Sequence, residues 1–111
     1  ERRMIMAVIT VDNKNFNDIV NTSEKPVLLE FWAPWCVYCR RLSPALDRTA
    51  GKMEDKIVVG KVNIDENPDL AEKFDIDTIP ALILFKKGAH GDTLVGPPSQ
   101  SSVEEWVNSQ I

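Results

Sequence analysis

At 111 residues, 43% of them hydrophobic, the chain is long enough to bury one core and too short for two ordinary domains. A net charge of −4, with no basic run longer than two residues, argues against a nucleic-acid partner. No apolar run approaches the roughly 18 residues needed to cross a bilayer, so no membrane partner is expected.

Glu1 is not a start residue, and residues 1–3 are read as a remnant ahead of a natural start at Met4 or Met6. Met4 to Val11 is too short and too β-like for the apolar region of a signal peptide, and a signal removed before Glu1 would leave no trace. The C-terminal Asn108-Ser109-Gln110-Ile111 carries no retention or lipidation signal. Cytoplasm is the expected compartment.

Strand and helix patterns alternate along the chain. Ala7 to Val11 is short and β-branched and predicts a first strand. Asp12-Asn13 offers capping oxygens to a helix on which Phe16, Ile19 and Val20 recur at helical spacing. Ser23-Glu24-Lys25-Pro26 breaks it. Val27 to Trp32 is almost wholly apolar, the pattern of a central strand buried on both faces. A long helix is expected from about Cys36 to Met53, with Leu42, Leu46 and Met53 inward and Pro44 as a kink. Ile57 to Ile64 predicts the next strand. Asn67-Pro68 starts a short helix whose inner face is Leu70, Ala71 and Phe74. Ala81 to Phe85 predicts another strand, and Lys86 to Gly91 a turn into an edge strand from Asp92 to Val95. Ser101 with Glu104 suggests a capping box for a last helix with Val103, Trp106 and Val107 inward. The order β-α-β-α-β-α-β-β-α requires right-handed crossovers and a sheet covered on both faces, with a hairpin near the end.

Cys36-Val37-Tyr38-Cys39 contains the only two cysteines. At the start of a helix, this spacing brings both sulfurs within bonding distance. The first sulfur meets the unsatisfied N–H groups of the helix end, which favour a thiolate. The loop closed by such a pair is too small for a stabilising disulfide, so the arrangement points to reversible exchange. A zinc site needs four ligands, and Cys36, Cys39 and the single histidine, His90, supply three at most. No metal is therefore expected, and nothing calls for a cofactor. His90 lies in a Gly-flanked turn and reads as solvated. Lys86-Lys87 and Arg40-Arg41 read as solvated charges, with Arg40 close enough to Cys39 to favour thiolates modestly.

Glu30 is a carboxylate inside an otherwise apolar strand. Burying an isolated charge is expensive, so a buried Glu30 implies a use; the alternative is an edge strand that turns it to solvent, against which the apolar run argues.

Five motifs occur in order: Phe31-Trp32-Ala33-Pro34-Trp35-Cys36, Lys61-Val62-Asn63-Ile64-Asp65, Ile79-Pro80-Ala81, Phe85-Lys86-Lys87-Gly88 and Val95-Gly96. On these the chain resembles the thioredoxin family over nearly its whole length. The resemblance implies an α/β thioredoxin fold: one domain spanning 1–111, with a central mixed sheet of about five strands flanked by about four helices. It implies that Cys36 is the exposed nucleophile and Cys39 the resolving thiol. It also implies that Trp32 and Trp35 flank the site, with core packing an equal alternative for Trp32. Glu30 stands where thioredoxins usually have Asp, and protein disulfide isomerase domains have Glu there with the same Ala-Pro-Trp-Cys run. The implied role is proton acceptor for Cys39 through a water, with a raised pKa and Lys61 as partner. Pro80 resembles the family's cis-proline, which would turn the Ile79 backbone toward Cys36 to pair with an extended substrate strand. Gly96 resembles a groove residue that permits close backbone approach. The implied partners of this monomer are protein disulfides and a thioredoxin-reductase-type electron donor.

The chain departs from the family at Val37-Tyr38, where Gly-Pro is usual. Glutaredoxins place Tyr before the resolving cysteine, after a Pro, but their glutathione-binding residues are not evident here. Three activities stay open: protein-disulfide reductase, disulfide oxidant or isomerase, and a non-catalytic binding module on the same fold.

Overall fold

The computed structural model describes residues 8–111. Met4, Met6, the remnant expected at 1–3 and Ala7 of the first strand lie outside the described residues.

Five strands form one sheet: β1 (Val8–Thr10), β2 (Val27–Trp32), β3 (Val58–Asn63), β4 (Ala81–Lys86) and β5 (Ala89–Val95). Their order is β1-β3-β2-β4-β5. β1 and β2 run parallel to β3, whereas β4 is antiparallel to both β2 and β5. Parallel neighbours need crossovers, which the helices supply: α1 (Val37–Lys52) links β2 to β3. α2 (Pro68–Lys73) follows β3, and α3 (Gln100–Asn108) closes the chain. β4 and β5 are joined by the two-residue turn Lys87-Gly88, with Lys86 paired to Ala89. Both turn residues have positive φ (51° and 84°), the twist that a two-residue hairpin requires.

β2 sits between β3 and β4, and every residue of Val27–Phe31 is buried. Its side chains alternate between two cores. Leu28 packs with Leu42 and Leu46 of α1 and Val103 and Val107 of α3. Leu29 and Phe31 pack with Phe16, Val20 and Leu70 on the opposite face. Both faces are covered, as the near-continuous apolar run demands. The architecture is the mixed α/β fold expected of the sequence.

Four local details differ from expectation. The segment after Asp12 forms a π-helical turn at Asn17–Asn21 rather than an α-helix. Over a single turn the apolar spacing fits either, and both bury Phe16 and Val20. The Asp12 carboxylate accepts from the N–H groups of Lys14 and Asn15. β5 begins at Ala89, so His90 is not in the turn. It pairs with Phe85, and its exposed ring lies 5.2 Å from that of Phe85 and 5.3 Å from that of Phe74. The cap of α3 is Ser99, whose Oγ accepts from the Ser102 N–H at 3.1 Å. Glu104 is therefore free of the expected capping box and ties α3 to α1. It accepts from Gln100 at 2.8 Å, Lys52 at 3.0 Å and Thr49 at 3.1 Å, bonds that hold its carboxyl below the usual range. Finally, the Arg40 guanidinium donates to the Pro34 carbonyl at 2.9 Å, inside the loop before the cysteines.

Candidate active site

β2 ends at Trp32, and the chain turns through Ala33-Pro34-Trp35 into α1. Cys36 caps that helix in an extended conformation, φ −85° and ψ 109°, so its sulfur lies over the free N–H groups of the first turn. The Cys39 N–H, 3.1 Å from Cys36 Sγ, is one of them. The two cysteines are joined as a disulfide with Cα atoms 5.2 Å apart. Cys36 is 7% exposed and Cys39 3%, so the sulfur nearer the surface is the one at the helix end.

Facing the disulfide is the Ile79-Pro80 peptide, which is cis. The Ile79 carbonyl oxygen lies 3.8 Å from Cys36 Sγ. Gly96 N–H donates to the Pro80 carbonyl at 2.9 Å and clips the two loops together. Gly96 has φ +57°, and nothing lies within 4 Å of where a Cβ would sit, so its backbone is open to an approaching chain. A groove of about 720 Å³ runs from this point along α1.

Trp32 and Trp35 take different positions. Trp32 is half-buried against Ala33 and the cysteines, with Lys61 Nζ 4.6 Å from its ring centre. Trp35 is 63% exposed, and its indole N–H donates to the Asp65 carboxylate at 3.1 Å.

Glu30 is 1% exposed and pairs in register with Lys61 of β3. Strand alternation puts it on the same face as Leu28, the face covered by α1, whose inner side carries Cys39. Neither carboxylate oxygen has a protein hydrogen-bond partner. Burial pushes its pKa from 4.5 up to about 7; Lys61 opposes the rise and Asp47 adds to it. Beside this pair opens a cavity of about 490 Å³, lined by Trp32, Ser43, Asp47, Lys61 and Asn63 among others.

The structure thus brings Cys36, Cys39, Trp32, Ile79, Pro80 and Gly96 to one end of the sheet, with Glu30 and Lys61 beneath. Sequence reasoning missed Asp47 and Asp65. Asp47 follows Cys39 by eight residues on α1, about 80° further round the helix, and lines the cavity with Lys61. Asp65 lies just past the end of β3, and only the tertiary fold brings it to Trp35.

A family model described as Thioredoxin matches residues 7–109. This chain belongs to the thioredoxin family. It is 44% identical over 101 residues to a protein named Thioredoxin from Rickettsia bellii, covering 91% of this chain and 96% of that one. It is 41% identical over 106 residues to the Thioredoxin of Porphyra purpurea, covering 96% and 99%. A Thioredoxin M-type, chloroplastic, of Zea mays is 36% identical over 104 residues, covering 94% of this chain and 62% of that one. As a member of the family the chain is an oxidoreductase that reduces protein disulfides, and the bonded Cys36–Cys39 pair fits dithiol–disulfide exchange. Among the described residues no helix is long and apolar enough to cross a membrane.

Proposed function

We propose that residues 1–111 act as one domain that reduces protein disulfides in the cytoplasm, with Cys36 as attacking sulfur, Cys39 as resolving sulfur and Glu30 as the buried base. The observation that carries this reading is the Cys36 sulfur at the N-terminus of α1, beside the Ile79 carbonyl. In the reduced protein the helix N–H groups favour the Cys36 thiolate. That thiolate attacks one sulfur of a substrate disulfide. The substrate S–S bond breaks, a mixed disulfide forms at Cys36, and the leaving thiolate takes a proton. Glu30 accepts the Cys39 proton directly or through one water, a transfer suited to a carboxyl with a pKa of about 7. The Cys39 thiolate then attacks Cys36 Sγ and releases the second substrate thiol, leaving the Cys36–Cys39 disulfide described here. Lys61, in register with Glu30, favours its charged form, the carboxylate that accepts the proton and is regained once the proton leaves.

Trp35, Ile79, Pro80 and Gly96 form the bed for an extended substrate segment, with the Ile79 backbone offering strand-like hydrogen bonds. Trp32 supports the site from below. The protein works as a monomer, and a thioredoxin-reductase-type donor restores the dithiol. Insulin reduction with a chemical thiol as donor tests the reading: wild type should accelerate precipitation of the insulin B chain, and lack of turnover would reduce the domain to a binding module.

A second reading, as oxidant or isomerase, rests on Glu30 and on Val37-Tyr38, which both depart from the usual thioredoxin residues. Equilibration with glutathione separates the two directions.

A further inference from the structure

The groove that leaves the disulfide along α1 has a charge pattern unlike the rest of the molecule. Its helix wall is Tyr38, Arg41, Leu42, Ala45 and Arg48, residues recurring on one helix face. Leu42 and Ala45 are buried and form an apolar floor, whereas Arg41 and Arg48 are exposed on its rim. The chain carries 17 acidic residues and a net charge of −4, yet none of the groove-lining residues is acidic. The one ion pair among the described residues joins Lys52 to Glu104, so no carboxylate is in direct contact with either arginine; Glu104 reaches Arg48 only through Gln100. The Arg41 guanidinium lies 5.6 Å over the Tyr38 ring. Arg48 is held across the groove by Nε, which donates to Gln100 Oε1 at 2.7 Å. Both cations are thus positioned by uncharged partners and keep further N–H donors for a ligand.

We propose that Arg41 and Arg48 select protein substrates that carry carboxylate side chains on one flank of the reacting cysteine. The inference rests on the reductase reading above and names the substrate class for that same site. At 1.5 Å per residue, Arg41 lies about 7 Å along the helix from Cys36 and Arg48 about 18 Å. An extended chain advances about 3.3 Å per residue, so the matching carboxylates fall about two and about five residues from the substrate cysteine. Exposed charges at a rim act mainly on encounter, so the selectivity appears in the association step and weakens with salt.

The test uses peptides with a single cysteine, supplied as symmetric disulfides. They carry Glu, Gln or Lys at those two positions, in one series for each flank. The second-order rate constant for reduction by the dithiol protein is measured in single turnover, with insulin as a parallel substrate. On one flank the Glu peptide should react about tenfold faster than the Lys peptide near 20 mM ionic strength, with Gln between, and within about twofold in 1 M salt. The double variant Arg41→Glu/Arg48→Glu should reverse the order. Should that variant not fold, the wild-type order and its salt dependence decide alone. Equal rates for Glu and Lys on both flanks, a preference for Lys, or a preference undiminished in 1 M salt overturns the proposal while leaving the reductase reading intact. Failure to reduce the peptides and insulin alike overturns that reading and the proposal with it.

Discussion

Replacing Glu30 with Leu should raise stability at alkaline pH and slow disulfide exchange. The carboxyl is 1% exposed, and its pKa rises from 4.5 to about 7 on folding. A pKa raised by folding means that the native state holds the proton more tightly than the unfolded chain does. The contribution of Glu30 to stability is therefore fully present below about pH 4.5 and is lost as pH rises through about 7. A rise from 4.5 to about 7 corresponds to on the order of 3 kcal/mol. Leu at this position cannot titrate and faces the same apolar neighbours as Leu28. The stability difference between Leu variant and native protein should thus open by about 3 kcal/mol between about pH 4 and pH 8.5, or roughly 10 °C in melting temperature. Urea unfolding of both proteins at several pH values measures it, in the oxidised state so that no thiol titrates. A difference that stays constant with pH, or a variant less stable than native at pH 8.5, would refute the buried-carboxyl reasoning. An unchanged rate of exchange in the variant would remove Glu30 from the proton transfer.

The redox potential should lie between about −270 mV, characteristic of thioredoxins, and about −180 mV, characteristic of protein disulfide isomerase. Tyr38 in the first turn of α1 has an N–H that Pro would lack, and a further free donor at the helix end that Cys36 caps favours the thiolate and hence the reduced form. Changing Val37-Tyr38 to Gly-Pro should lower the potential, and a native value at or below −270 mV by equilibration with glutathione would leave the pair only a role in partner choice. Gly60→Ala should destabilise by about 1–3 kcal/mol, because a Cβ there would meet Val11 Cγ2 at 2.8 Å and Leu29 Cδ1 at 3.1 Å in the middle of the sheet; denaturant titration reads the loss. Trp35→Ala should lower the rate with protein substrates more than with small disulfides, since the proposed contact surface includes its exposed indole; equal losses on both would return Trp35 to a structural role.

The sequence discloses most where one physical demand dominates. Val27–Phe31 reads as a central strand because only a doubly covered strand tolerates such a run, and β2 is that strand. The burial of Glu30 follows from the same run. Where two local solutions satisfy one pattern, the sequence is silent. Phe16, Ile19 and Val20 fit an α or a π turn, and either Ser99 or Ser101 can cap α3; the structure uses Ser99, and Glu104 bonds Thr49 and Lys52 instead. The cis state of the Ile79-Pro80 bond is not legible in an X-Pro pair, of which only about 5% are cis, and entered through family resemblance. Arg41 and Arg48 read as solvated or unremarked charges. Their common groove exists only because the 95–100 segment packs beside α1, a tertiary placement with no local signature.

The division of labour between the two sulfurs is tested most directly by mass spectrometry of single-cysteine variants mixed with a disulfide-bonded protein substrate. The Cys39→Ser variant should accumulate a covalent adduct linked through Cys36, because the attacking sulfur is present and the resolving one is gone. The Cys36→Ser variant should accumulate none, since Cys39 is 3% exposed and lies a turn further into the helix. An adduct formed through Cys39 as fast as through Cys36 would contradict the assignment of Cys36 as the nucleophile.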